Sequence, residues 1–159
     1  MIQRKQTLFL ALAALCVGLM FLFPIATYEV PDQVEKVVFG IAGTTVGGQP
    51  ALFAPDPIVP LHAVAGLAMA ALIGVIFLYK QRIRQVRFAN FGYMLLLGLF
   101  AAVFMSERSM QALMAAKGST PGTYDLSYFL PLPALVFVFL AVRAIRADEA
   151  LVKSADRLR

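Results

Sequence analysis

The chain has 159 residues, of which 60% are hydrophobic and 14% are charged, and its formal net charge at pH 7 is +5. Soluble domains are about 45–50% apolar and about 25% charged, and a small domain exposes too much surface to do with less charge. With a mean hydropathy of +0.79, the composition excludes a disordered chain and argues against a soluble enzyme. It is typical of an integral membrane protein.

Four apolar stretches are long enough to cross a hydrocarbon core of about 30 Å, which takes about 17–25 helical residues. We predict spans at about residues 7–28, 58–79, 88–114 and 126–147. Each stretch is apolar around its whole circumference and lacks a period of two, so the pattern indicates membrane helices. The predicted fold class is an all-α four-transmembrane-helix bundle forming a single membrane domain.

The first stretch follows the basic pair Arg4 and Lys5 and could be taken for a signal peptide. Signal-peptide cores are about 7–15 residues long and end at a small-x-small cleavage site, which is missing here. We therefore interpret it as an uncleaved span. The chain has a single cysteine, Cys16, which lies in this stretch. One cysteine excludes an intrachain disulfide, and we interpret Cys16 as a small packing residue.

Basic residues outnumber acidic ones, eleven to three, in the start of the chain, loop 80–87 and residues 143–159, which include the tail 148–159, taken together. On the other side of the predicted spans, the outer segments 29–57 and 115–125 and the end of the third span carry six acidic and three basic residues. The positive-inside rule then predicts a multi-pass protein of a bacterial inner membrane with both termini in the cytoplasm. The loop is expected to bind the anionic inner leaflet, as a topology anchor, through Lys80, Arg82, Arg84 and Arg87. A specific lipid or nucleic-acid site there is the less favoured alternative, and we expect no nucleic-acid partner.

The outer segments carry turn residues and one β-prone run. Residues 34–41, Val-Glu-Lys-Val-Val-Phe-Gly-Ile, are bounded by glycines and prolines, which predicts either a short β-hairpin cap or an irregular loop. The third helix is expected to continue through Met114 to Ala116 and to stop at Gly118.

Two groups of residues are candidate sites within the bundle. His62, Glu107 and Arg108 fall near the outer ends of their spans, where they either mark the membrane boundary or form a polar cluster that binds a small ligand. Gly66, Ala70 and Gly74 are four residues apart, which predicts a helix-packing face. We expect that face to contact another span of this chain, with a second protein as the alternative.

The tail is interpreted as a helical extension of the fourth span. Its ordered charges suggest docking to another protein or to the inner loop, with a simple topology anchor as the alternative. The candidate docking residues are Arg143, Arg146, Asp148, Glu149, Lys153, Asp156 and Arg157.

No phosphate-binding glycine loop, Ser-His-Asp set or zinc-protease motif is present in the sequence. His62 is the only histidine and no Cys-His cluster accompanies it, so neither haem nor a metal is expected. We predict no enzymatic activity, no cofactor and no metal.

Three stretches resemble an uncharacterised four-span membrane family, domain of unknown function 4293, which is found mainly in Bacteroidota. These stretches are residues 1–8, residues 80–87 followed by Asn90, and residues 130–135 and 140–159 near the end of the chain. The resemblance implies four helices in a bacterial inner membrane. It implies no established activity and no catalytic residues.

These observations predict a non-enzymatic structural or accessory subunit that binds a membrane-protein partner, or a second copy of itself, through the tail or the second span. The alternative is a small-ligand carrier, channel or sensor with a polar site near the outer ends of the helices.

Overall fold

A computed structural model describes residues 3–30, 35–51, 60–78, 81–119 and 121–157. Within these ranges the chain is mostly helical, with four long helices, one short helix and a small antiparallel sheet. In chain order the elements are α1 (Gln3–Leu19), β1 (Ala26–Tyr28), β2 (Val37–Gly40), β3 (Gly43–Val46), β4 (Gln49–Pro50), α2 (Leu61–Phe77), α3 (Arg82–Ala116), β5 (Thr123–Tyr124), α4 (Leu126–Phe129) and α5 (Pro131–Arg157).

The four long helices form a closed bundle. Helix α1 contacts α2 and α5, and α3 contacts the same two helices from the other side. Small side chains let the helix backbones approach closely. Fully buried alanines are found on every long helix: Ala13, Ala65, Ala68, Ala89, Ala134 and Ala141.

The outer surface of the bundle is apolar. Two helices are long and apolar enough, by length and composition, to cross a membrane, namely Arg84–Ala116 and Leu126–Ala150. The apolar helices Lys5–Leu19 and Leu61–Phe77 are shorter. Large apolar side chains that are at least half exposed occur on all four: Leu8, Leu15, Leu67, Phe77, Phe88, Phe91, Met94, Met105, Val136 and Phe139.

The sheet has the strand order β4-β3-β2-β1-β5, and every described pair is antiparallel. Strands β2 and β3 form a hairpin, with Val37 opposite Val46, so of the two alternatives left open for segment 29–57 the hairpin is the one that forms. The next turn places Gly47 and Gly48 at φ +57° and +82°. Because two consecutive positive φ values suit a type I′ turn, glycine is favoured at both positions.

The first helix is shorter than the predicted span 7–28, because α1 ends at Leu19. Turn hydrogen bonds continue to Phe23, and Pro24, which lacks an N–H, then ends the helical path. Ala26, Thr27 and Tyr28 alternate between buried and half-buried positions, the pattern of a strand with one covered face. The expectation that these residues lie in a helical span was therefore wrong.

Helix α3 is longer than the predicted span 88–114. It begins at Arg82, so most of the predicted loop 80–87 is helical. Its end confirms the predicted stop at Gly118, which has φ +75°. The N–H of Gly118 donates to the Ala115 carbonyl and that of Ser119 to the Met114 carbonyl, the two bonds of a Schellman motif.

Candidate functional site: a polar cleft beside the sheet

A buried hydrogen bond joins the sheet to α3. Glu107 is 1% exposed, and its Oε1 accepts a hydrogen bond of 3.2 Å from the hydroxyl of Tyr28, which is also 1% exposed. One turn further along α3, the Thr44 hydroxyl lies 3.9 Å from the Met110 sulfur. The last turns of α3 therefore lie beside the sheet, whereas α1 has already ended.

The surroundings of Tyr28 favour its neutral form. Burial, with the neighbouring Glu107 carboxylate as the second cause, raises the pKa of Tyr28 above its ordinary value. As a neutral phenol it keeps the proton that it donates to Glu107. The ring of Tyr28 is also tightly covered by Gly122, because a Cβ added there would overlap its Cε1 atom.

A cleft of about 540 Å³ opens between the end of α3 and the segment that follows it. Its lining residues are Tyr28, Arg108, Gln111, Ala112, Ala115, Ser119 and Pro121. The Schellman turn brings Ser119 into the lining of the cleft. Since the Tyr28 hydroxyl is bonded to Glu107, the polar groups left for a ligand are the guanidinium of Arg108, the amide of Gln111 and the hydroxyl of Ser119.

Arg108 is exposed, and its guanidinium carbon lies 5.5 Å from the centroid of the Phe104 ring. An exposed ion pair joins Lys36 Nζ to Glu29 Oε1 at 2.7 Å and does not involve Arg108. The hydrogen bond to Lys36 and its charge lower the pKa of Glu29. Among the described residues, no carboxylate forms an ion pair with Arg108, so its positive charge faces the cleft without a partner carboxylate.

The three residues of the predicted outer cluster face different surroundings. Glu107 is buried against Tyr28, Arg108 lines the cleft, and His62 is exposed in the first turn of α2 and is not a lining residue. The sequence reasoning missed Tyr28 and Gln111. Gln111 lies three residues after Arg108 and therefore on the same helix face, which a helical projection centred on Arg108 would have found.

Side-chain hydrogen bonds also close the end of the bundle that carries the sheet. The Thr27 hydroxyl donates to Asp125 Oδ2 at 2.6 Å, and that of Ser127 donates to the Phe23 carbonyl at 2.6 Å. Ser127 is fully buried. These bonds join the segment after α1 to the segment before α5.

At the opposite end, buried glutamines join pairs of helices. Gln6 on α1 donates to Asp148 on α5, and Gln85 on α3 donates to the Val75 carbonyl on α2 at 3.2 Å. Asp148, one of the predicted docking residues, is therefore engaged within the bundle.

The other tail residues lie along α5, which continues to Arg157 as the predicted helical extension. Arg143 and Arg146 are exposed and Glu149 is half-buried. The described part of the structure does not include three side chains of the tail, those of Lys153, Asp156 and Arg157. In the loop it does not include Lys80 or the side chain of Arg82. Arg84 and Arg87 are exposed near the start of α3.

The small-residue face of α2 does not pack against the rest of the bundle. Ala70 is exposed, and a Cβ on Gly66 or Gly74 would meet no non-neighbouring atom of the described residues within 4 Å. The buried face of α2 consists instead of Leu61, Ala65, Ala68, Leu72 and Val75. For these ranges, the expectation of a partner helix within the same chain was wrong.

Among the described residues, no group of three His, Cys, Asp or Glu side chains could hold a metal ion. The fold defines a mostly helical protein with two helices able to cross a membrane and a small antiparallel sheet at one end. The chain belongs to the family described as Domain of unknown function (DUF4293), whose sequence model matches residues 2–158. No functionally curated protein matches it.

Proposed function

We propose that this chain is a multi-pass protein of a bacterial inner membrane, with four spans and both termini in the cytoplasm, and that it acts as a non-enzymatic accessory subunit. The membrane placement is supported by the exposure of the most apolar stretches of the chain. In the most apolar 18-residue windows of α3 and α5, only 28% and 39% of the residues are buried. The core helix of a soluble protein would be mostly buried, whereas lipid can cover an apolar helix surface.

The charges on α3 support the same placement. The helix carries no charge between Arg87 and Glu107. Arg87 and Arg108 are separated by about 31 Å at 1.5 Å per residue, which is close to the thickness of a hydrocarbon core. The shorter helices α1 and α2 have 17 residues each, at the lower end of what a span requires.

Orientation can be tested by labelling single cysteines in a Cys16→Ala background. A membrane-impermeant maleimide added to spheroplasts should modify Gln49→Cys, on the exposed strand β4, without lysis. Ala147→Cys, exposed on α5, should react only after permeabilisation, and Phe139→Cys, on the lipid-facing surface, should react poorly in both cases. Labelling of Ala147→Cys in intact spheroplasts would refute the proposed orientation.

The accessory role is supported by the unpacked face formed by Gly66, Ala70 and Gly74. Small residues facing lipid allow a second helix to approach closely, and that helix belongs either to another membrane protein or to a second copy of this chain. Purification in mild detergent, followed by mass spectrometry, should recover a stoichiometric partner or a homo-oligomer.

The Gly66→Leu/Gly74→Leu variant should lose that association without unfolding, because neither position is packed in the described structure. Ala11→Leu, at an exposed position on α1, is the matched control and should retain the partner. A lone monomer, or equal recovery of the partner with both variants, would argue against this role.

The second candidate function is a small-ligand carrier, channel or sensor, and the cleft beside Arg108 favours it. A carrier of this kind should move its ligand when it is the only protein in a liposome. An accessory subunit should be inactive there and require its partner.

A further inference from the structure

The cleft continues into an apolar stripe on the outer surface of α3. Leu97, Ala101 and Phe104 lie below Arg108 at spacings of four, three and four residues, so they share its helix face. Leu97 is 38% exposed, Phe104 is 42% exposed and Ala101 is also exposed. Above Arg108 on the same face, Gln111, Ala112 and Ala115 line the cleft.

The dimensions of this face match one leaflet of a bilayer. Leu97 and Arg108 are 11 positions apart, which corresponds to about 16 Å along a helix, and half of a hydrocarbon core is about 15 Å. An acyl chain that lies on the stripe therefore brings its headgroup to the level of Arg108.

The polar groups that line the cleft suit a phosphate. A guanidinium presents paired N–H donors whose geometry fits phosphate oxygens, and the Gln111 amide and Ser119 hydroxyl are further donors. The buried carboxylate of Glu107 does not line the cleft, and the Tyr28 hydroxyl is bonded to it.

We propose that the cleft binds the phosphate headgroup of an anionic phospholipid, with Arg108 as the principal contact and the Leu97–Phe104 stripe as the seat of an acyl chain. This proposal rests on the membrane placement proposed above. The site lies at the end of the bundle that carries the sheet and is separate from the basic residues at the start of α3. It therefore selects lipid in the opposite leaflet.

The chain contains no tryptophan, so a single introduced indole can report on neighbouring lipid. Ala101→Trp places the indole on the stripe, and Phe139→Trp places one on the exposed surface of α5. The full chain is reconstituted in bilayers of phosphatidylcholine and phosphatidylglycerol, with bromine on the acyl chains of one lipid at a time. Bromine quenching then gives the relative affinity of each lipid next to each indole.

At Ala101→Trp we expect phosphatidylglycerol to be preferred roughly fivefold, as one basic residue near an anionic headgroup would give. Arg108→Gln should abolish the preference, whereas Arg87→Gln, on the same helix near the opposite surface, should retain it. Gln111→Leu should weaken it and provides a second variant if Arg108→Gln does not assemble. The Phe139→Trp reporter should show no preference that depends on Arg108.

The outcomes separate this proposal from the membrane placement. Absence of quenching by either brominated lipid would refute the membrane placement of α3. Quenching without a preference, or with one that Arg108→Gln leaves intact, would overturn the lipid site alone. Loss of the preference on adding inorganic phosphate, but not chloride at equal ionic strength, would overturn the lipid as occupant in favour of soluble phosphate.

Discussion

Replacing Tyr28 by phenylalanine should destabilise the protein through the loss of one hydroxyl. The ring is buried and keeps its packing in the variant, but Glu107 Oε1 loses a donor at 3.2 Å. Leaving a buried acceptor without its donor costs about 1–3 kcal/mol, and this bond is slightly long for an O–H donor. We therefore expect the free energy of unfolding to fall by about 1.5–2 kcal/mol.

The assay is equilibrium unfolding in mixed micelles with increasing sodium dodecyl sulfate, followed by far-ultraviolet circular dichroism. Tyr124→Phe is the matched control, since Tyr124 is 46% exposed, and it should change stability by less than about 0.5 kcal/mol. In a Glu107→Leu background, Tyr28→Phe should cost much less, because removing both partners leaves no buried carboxylate without its donor. An equal cost in both backgrounds would refute the role given to this hydrogen bond.

Three further predictions concern the surroundings of Tyr28 and the opposite end of the bundle. The folded protein keeps Tyr28 neutral, so the stabilisation from its hydroxyl is fully present at neutral pH. It decreases above about pH 10, where the Tyr28 phenol of the unfolded chain loses its proton. The wild type should therefore lose stability with rising pH more steeply than Tyr28→Phe. Gly122→Ala should lower the unfolding free energy by about 1–3 kcal/mol, since its Cβ would overlap the Tyr28 ring, whereas Gly98→Ala, which meets nothing within 4 Å in the described structure, should cause no loss in the same assay. Gln6→Ala should cost about 1–3 kcal/mol by removing a donor from Asp148, and a melting temperature equal to that of the wild type would contradict this.

Local patterns in the sequence predicted the parts of the fold that depend on local chemistry. The end of α3 followed from Gly118, since a left-handed helix stop favours glycine. The β-prone run bounded by turn residues indicated the β2–β3 hairpin as one of two alternatives, the other being an irregular loop. The end of α1 was mispredicted because residues 20–28 remain apolar, and hydropathy cannot distinguish a helix from a buried strand in so short a run.

The candidate site depends on contacts between residues that are distant in the chain. Tyr28 and Glu107 are 79 positions apart, and Gln6 and Asp148 are 142 apart. An acidic residue at the end of an apolar stretch normally indicates the membrane boundary. Only the fold shows that Glu107 is buried and accepts a hydrogen bond from the Tyr28 hydroxyl. Arg108 was a candidate from the sequence, either as a membrane-boundary residue or as part of a ligand site, because its position at the end of a span is visible there.

The unequal lengths of the helices explain why a site forms at one end of the bundle. Helix α3 has 35 residues and α1 has 17, so α3 extends beyond α1, and the sheet packs against its last turns through Tyr28. Where the sheet and the turn after α3 meet, the inner face of α3 is covered and its Glu107 is buried, while the adjacent face keeps Arg108 open to a cleft. A helix that ended level with α1 would provide neither the buried acceptor for Tyr28 nor a wall for the cleft. A deletion that removes the last turns of α3, from Arg108 to Ala116, should therefore abolish both the packing of the sheet against α3 and the lipid preference. Substitutions confined to the opposite end of the bundle should leave both intact.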